Sequence, residues 1–262
     1  MTNVLARFIA GAAASSIAAF GAHRFRALSS TGAIAAFMVG TAAIVAGWSW
    51  AALLIAFFVA ATALSKLGES KKAKRIGAIV DKGGERDATQ VFANGGVFAI
   101  AALAQIVTHS PAWYAIGVGA LAASAADTWA TEVGTLAGKE PVSIISGRRV
   151  PAGTSGGITL TGSLGGIGGA VFVGAGAALA QWPVPFTAVA LGGMAGALSD
   201  SLLGATLQSR RWCDRCEKST EQLVHDCGNA TRPTGGVEGL DNDAVNAVCS
   251  VVGALVALLL SR

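Results

Sequence analysis

Residues 120–138 read ALAASAADTWATEVGTLAG, and residues 191–208 read LGGMAGALSDSLLGATLQ. Each is a long apolar run with an acid near its end, Asp127 in the first and Asp200 in the second. A carboxylate inside or at the rim of a membrane helix is costly, and it persists where it has chemistry or a partner. Two acids in matching contexts predict two helices that hold one polar site.

Working outward, the rest of the chain is equally apolar. Hydrophobic residues make up 53% and charged residues 13%, with a mean hydropathy of +0.58. Soluble domains are about a quarter charged, and a membrane span needs about 20 largely apolar residues. Eight runs qualify: 4–20, 31–47, 50–67, 91–107, 113–130, 157–180, 186–207 and 245–260. The first is read as a span and not a signal peptide, because His23, Arg24 and Arg26 follow it directly. The expected fold is all-α: a polytopic membrane bundle of about eight helices, with residues 1–262 forming one integral membrane domain. Gly162/Gly166, Gly165/Gly169 and Gly192/Gly196 have the small-xxx-small spacing of closely packed membrane helices. A Gly-rich face of this kind also suits a homodimer.

Charge sets the expected orientation. Of the 19 basic residues, all but Arg7 and Arg262 fall in the connections after the first, third, fifth and seventh spans. Basic loops stay inside, so that face is expected to be cytoplasmic, in the cell inner membrane, with both termini outside. The Lys71–Arg75 cluster is assigned to topology and to anionic membrane lipids, and no nucleic-acid partner is expected. Every Asp and Glu lies at or near the same face. The opposite connections carry no charge, and Trp48, Trp50, Trp113 and Trp182 there are expected to form an interfacial aromatic belt.

The spans that run outward place their N-termini at the charged face. Free N–H groups and the helix dipole make such ends suited to phosphate. Three of these ends are polar: KGGERDATQVFANGG at 82–96, GRRVPAGTSGGITLTG at 147–162 and GLDNDAVN at 239–246. Gln90 and Asn94 share a helix face, as do Asn242 and Asn246. Arg86, Arg148 and Arg149 stand beside them, and Arg pairs well with phosphate oxygens. The returning spans bring Asp127, Glu132 and Asp200 to the same level as candidate ligands for Mg²⁺, which is held by carboxylates together with substrate phosphates. Ser124 and Thr128 could orient Asp127 or touch phosphate, though small hydroxyl residues also pack helices. These groups together suit phosphoryl transfer, where catalysis is mostly positioning and charge neutralisation.

A separate cluster lies in the cytoplasmic loop 209–240. Cys213 and Cys216 form a CxxC pair, followed by His225 and Cys227. A Cys₃His set is expected to bind structural Zn²⁺, because disulfides are rare in the cytoplasm. A thiol cluster without metal is the alternative, as is His225 acting as a base.

The motifs at 82–96, 124–134 (SAADTWATEVG), 150–159 (VPAGTSGGIT) and 199–208 (SDSLLGATLQ), with the Cys-Cys-His-Cys set and NDAVN at 242–246, occur in order. In this the chain resembles the phytyl-phosphate kinase and transmembrane protein 19 family over roughly residues 66–260. The resemblance implies an integral membrane enzyme, CTP as donor and an isoprenyl (phytyl or prenyl) monophosphate as acceptor. The family's polar motif positions fall on Arg86, Gln90, Asn94, Asp127, Glu132, Asp200, Gln208, Asn242, Asp243 and Asn246. Lys82, Thr154 and Ser155, within the same motifs, join the expected phosphate-binding set. The competing reading is a transporter or flippase for a lipid phosphate or small anion, which would need a polar path to both faces.

Overall fold

The computed structural model describes residues 2–76 and 84–262. Eight long helices cover the eight apolar runs: α1 (Thr2–Arg24), α2 (Ser30–Ala46), α3 (Trp48–Lys66), α5 (Ala88–Thr108), α6 (Ala112–Ala137), α7 (Leu160–Leu179), α8 (Phe186–Thr206) and α9 (Asn242–Leu260). By length and composition six of the described helices could cross a membrane, namely all but α2 and α6 of these eight. The α2 helix is apolar but has 17 residues, and α6 carries Asp127 and Glu132. A ninth helix, the short basic α4 (Glu69–Ile76), was not foreseen from the sequence, where its lysines read as a loop.

The chain is mostly helical, with two small sheets confined to the polar end. Strands β1 (Val142–Ser143) and β2 (Gly157–Ile158) pair antiparallel. In loop 209–240, β3 (Arg210–Cys213) is flanked by β4 (Lys218–Thr220) and β5 (Arg232–Gly235).

Helix α6 is the centre of the bundle and packs against α3, α5, α7, α8 and α9. Its residues 117–126 are buried on every side. Glycine makes this possible: a Cβ on Gly119 would sit 2.5 Å from the Gly253 carbonyl, and one on Gly169 2.5 Å from that of Ala125. Close backbone approach is how membrane helices gain packing energy without a hydrophobic driving force.

At the opposite end, Trp50, Phe98, Tyr114 and Trp182 pack into one cluster, with ring centroids 4.4–5.3 Å apart. Trp50 is 1% exposed and Trp182 7%. These two tryptophans are therefore core residues and not part of an interfacial belt. Stacking against neighbouring rings hides more apolar surface than a headgroup contact would. Trp48 is exposed, and Trp113 reaches Thr108 at the end of α5, so these two keep positions that suit a belt.

Candidate functional site

The N-termini of α5, α7 and α9 meet the C-terminal halves of α3, α6 and α8 around a polar cavity of about 950 Å³. Each N-terminus is capped from within. Asp87 and Gln90 form a capping box on α5. Thr159 Oγ1 accepts from Gly162 N at 2.9 Å on α7, and Asp241 Oδ1 from Ala244 N at 2.9 Å on α9. Side-chain caps of this kind fix where each helix starts. The α7 approach also depends on Gly156, at φ +76°, where a Cβ would lie 2.7 Å from Ser201 O.

Asp127 of α6 and Asp200 of α8 face each other in the cavity wall, within reach of a shared hydrogen bond. Asp200 Oδ2 is buried and has no hydrogen-bond partner. Thr128 lies next to the pair in the lining, and Thr154 and Ser155 approach from the loop before β2. Gln208 lines the cavity at 2% exposure, and its Nε2 has no partner. Gln90, Asn94, Asn242 and Asn246 complete the set on the inward N-termini. Asn94 Nδ2 donates back to Gln90 O at 3.0 Å.

Glu132 sits differently. It pairs with Lys72 Nζ and accepts from Ser65 Oγ at 2.6 Å. Lys72 is 6% exposed and also donates to Leu64 O at 2.8 Å and Ser65 O at 2.6 Å. Arg86 donates to Ser65 Oγ at 3.1 Å and Thr62 Oγ1 at 3.2 Å. Burial lowers the Arg86 pKa and the charge of Glu132 opposes that shift; a guanidinium stays charged regardless. Both Glu132 oxygens are thus engaged in tying α4 and α3 to α6, with Arg86 docked on the same network.

Four other expected residues are not in the cavity lining. Arg148 and Arg149 lie exposed on the turn beyond β1, where Arg149 pairs with Glu140 at 3.0 Å. The β1 register and the Val142–Arg149 bridge turn this segment outward. Ser124 is 1% exposed and bonds Asn94 O and Ser250 Oγ, each at 3.0 Å, so it joins α5, α6 and α9 as packing glue. Asp243 is buried in the first turn of α9. Lys82 lies outside the described residues.

Among the cavity residues that sequence reasoning did not single out are Lys72 and Glu221. Glu221 accepts from Ser155 Oγ, and its charge is felt at Asp200. Both come from polar segments between the long apolar runs. The cysteine loop brings its four candidate ligands together. The ligand atoms of Cys213, Cys216, His225 and Cys227 all lie within 4.8 Å of one another. The Asn229 backbone, then His225, holds the Cys227 thiol down to about 6, while its hydrogen bond to Cys227 pushes Cys216 up to about 11.

An apolar bundle with one polar, acid-lined end defines an integral membrane protein with a single-sided site. The chain belongs to the family described as integral membrane protein DUF92, whose pattern matches residues 13–254. It is 32% identical to Protein PGR of Arabidopsis thaliana over 92% of both chains. It is 29% identical to an uncharacterized membrane protein of Methanocaldococcus jannaschii over 82% of this chain and 77% of that one. It is also 27% identical to the chloroplastic Protein VTE6 of Arabidopsis thaliana, over 90% of this chain and 66% of that one. No solved structure matches. The family resemblance read from the motifs is borne out.

Proposed function

We propose that the protein is a membrane-embedded kinase that transfers the γ-phosphoryl group of a nucleoside triphosphate, CTP by family resemblance, to an isoprenyl monophosphate. The observation that carries this reading is the Asp127–Asp200 pair, two facing carboxyls with an unpartnered oxygen in a polar cavity. Like charges so close need a proton or a cation between them, and an all-oxygen donor set suits Mg²⁺. Mg²⁺, when bound with nucleotide, would neutralise developing charge on the phosphate oxygens.

In the reaction, an oxygen of the acceptor monophosphate bonds to the γ-phosphorus, and the bond from that phosphorus to the β–γ bridging oxygen breaks. The products are the isoprenyl diphosphate and the nucleoside diphosphate. The acceptor is already an anion, so no strong base is required, in keeping with the absence of histidine from the cavity lining. Arg86 supplies a fixed positive charge at the rim, held by Thr62 and Ser65. Gln208 offers an unused donor for a phosphate oxygen. The lipid tail would remain in the bilayer, with nucleotide approaching from the cytoplasm, the side assigned to the basic end by the distribution of Lys and Arg.

The aromatic cluster at the opposite end supports an enzyme over a carrier, because a carrier needs a polar route through both ends. The deciding assay incubates purified protein with several isoprenyl monophosphates and each of four γ-labelled nucleoside triphosphates. Magnesium-dependent label in a lipid diphosphate is expected. No transfer from any donor to any acceptor would overturn the kinase reading.

A further inference from the structure

The loop between α8 and α9 folds as a distinct lobe with almost nothing apolar inside it. Among residues 209–240 the buried side chains are Cys213, Thr220, His225 and Thr231. Its three strands are short and largely exposed. Small units without a hydrophobic core need a staple, either a disulfide or a metal.

The four candidate ligands come from two tight turns. Cys213 ends β3, and Cys216 lies in the β3–β4 turn, which closes at Glu217 with φ +50°. His225 and Cys227 lie in a second hairpin, marked by the Val224–Ala230 bridge. That turn closes at Gly228 with φ +81°, where Gly228 N donates to His225 O at 2.7 Å. Each turn presents two ligands to the same point.

The spacing distinguishes metal from disulfide. Cys213 Sγ and Cys227 Sγ are 3.6 Å apart. A disulfide requires about 2.05 Å. A tetrahedron with Zn–S bonds of about 2.3 Å has edges of about 3.8 Å. His225 Nε2 is buried and has no hydrogen-bond partner, which is costly for an imidazole nitrogen unless it binds something. Nδ1 of the same ring lies 3.4 Å from Cys227 N, so the imidazole is held beside the thiols. Three thiolates and one imidazole around Zn²⁺ leave one net negative charge, and Arg215, which donates to Cys227 O at 3.2 Å, brings a cation beside it.

We propose that Cys213, Cys216, His225 and Cys227 bind one Zn²⁺, and that this ion folds the 209–240 lobe and so holds Glu221 against the cavity. Glu221 and Gln222 lie between the two ligand turns, and with Asp226 they line the cavity. Glu221 reaches Ser155 of the opposite loop. Zinc is therefore a positioning element for one wall of the site, and it binds whether or not the protein is a kinase.

The test reads metal and lobe structure, not activity. Protein purified in detergent without a polyhistidine tag, from zinc-replete cells, is analysed for metal. About one Zn²⁺ per chain is expected, retained in Cys249→Ser and lost in Cys216→Ser and Cys227→Ser. If the latter two do not accumulate, an organomercurial titration of the wild-type protein replaces them. Zinc release that follows thiol loss in step supports the site, and thiols titrating without released zinc overturn it. On the zinc-stripped wild-type protein, limited proteolysis should cut within 209–240 while the helices stay intact. A metal-free preparation whose lobe resists the protease as well as the holoprotein does would overturn the proposal.

Discussion

The two ends of this bundle are built from the same eight helices and have opposite chemistry. At one, Trp50, Phe98, Tyr114 and Trp182 stack with no charged neighbour among them. At the other, Asp127, Asp200, Glu132, Lys72 and Arg86 share a cavity of about 950 Å³. The helix shafts between them are rich in Ala and Gly. The difference teaches where this chain obtains rigidity: ring stacking and close backbone contact clamp one end and the middle. The other end is then able to hold close-set acids that would spread apart in a softer scaffold. Holding such strained electrostatics in place is what preorganised sites require.

The comparison breaks most readily at the acids. Asp127→Asn and Asp200→Asn should each lower phosphoryl transfer on the order of 10³-fold with a folded protein, since each removes charge stabilisation worth several kcal/mol. Turnover in saturating Mg²⁺, read beside thermal unfolding in detergent, decides it. Near-wild-type turnover in either variant would remove that acid from the mechanism. At the opposite end, Trp50→Ala should cost about 3 kcal/mol of stability by emptying a stacked core position. It should show as a lower unfolding temperature, with turnover per folded molecule within about threefold. A selective loss of turnover instead would mean the two ends are coupled.

The Lys72–Glu132 pair separates anchoring from metal binding. Lys72→Met strands a largely buried carboxylate and should destabilise by about 2–3 kcal/mol. Adding Glu132→Gln should restore most of that loss in a double-mutant cycle. If Glu132→Gln alone abolished turnover as Asp127→Asn does, without loss of stability, Glu132 would belong with the acids proposed to bind metal. The smallest effect is expected at Arg149→Ala, within about twofold in turnover, because it and its partner Glu140 are both largely exposed and exposed pairs contribute little. A large loss would mean that the turn carrying it folds over the cavity during turnover.

Apolar run length made the eight long helices legible, and the cost of charge in lipid made Asp127 and Asp200 legible before any geometry was known. What stayed hidden depended on distance in sequence. Lys72 reads as one of several loop lysines until it meets Glu132, 60 residues away. Glu221 reads as a surface acid until it meets Ser155, 66 residues away. Trp50 and Trp182 fit either a belt or a core plug by composition, and only their mutual stacking decides between them. Arg148 and Arg149 lie outside the cavity lining for the converse reason: a favourable residue type next to a motif does not say which way a short hairpin turns.

Asp87, Thr159 and Asp241 cap their own helices at the mouth of the cavity. Those turns therefore need no ligand to keep their shape. An incoming anion would meet walls already in place, and its departure would leave no frayed helix to rewind. Binding at such a mouth carries little ordering cost. Its exchange rate would then be governed by diffusion and by the strength of the contacts themselves, so successive substrates can come and go while the walls stay still.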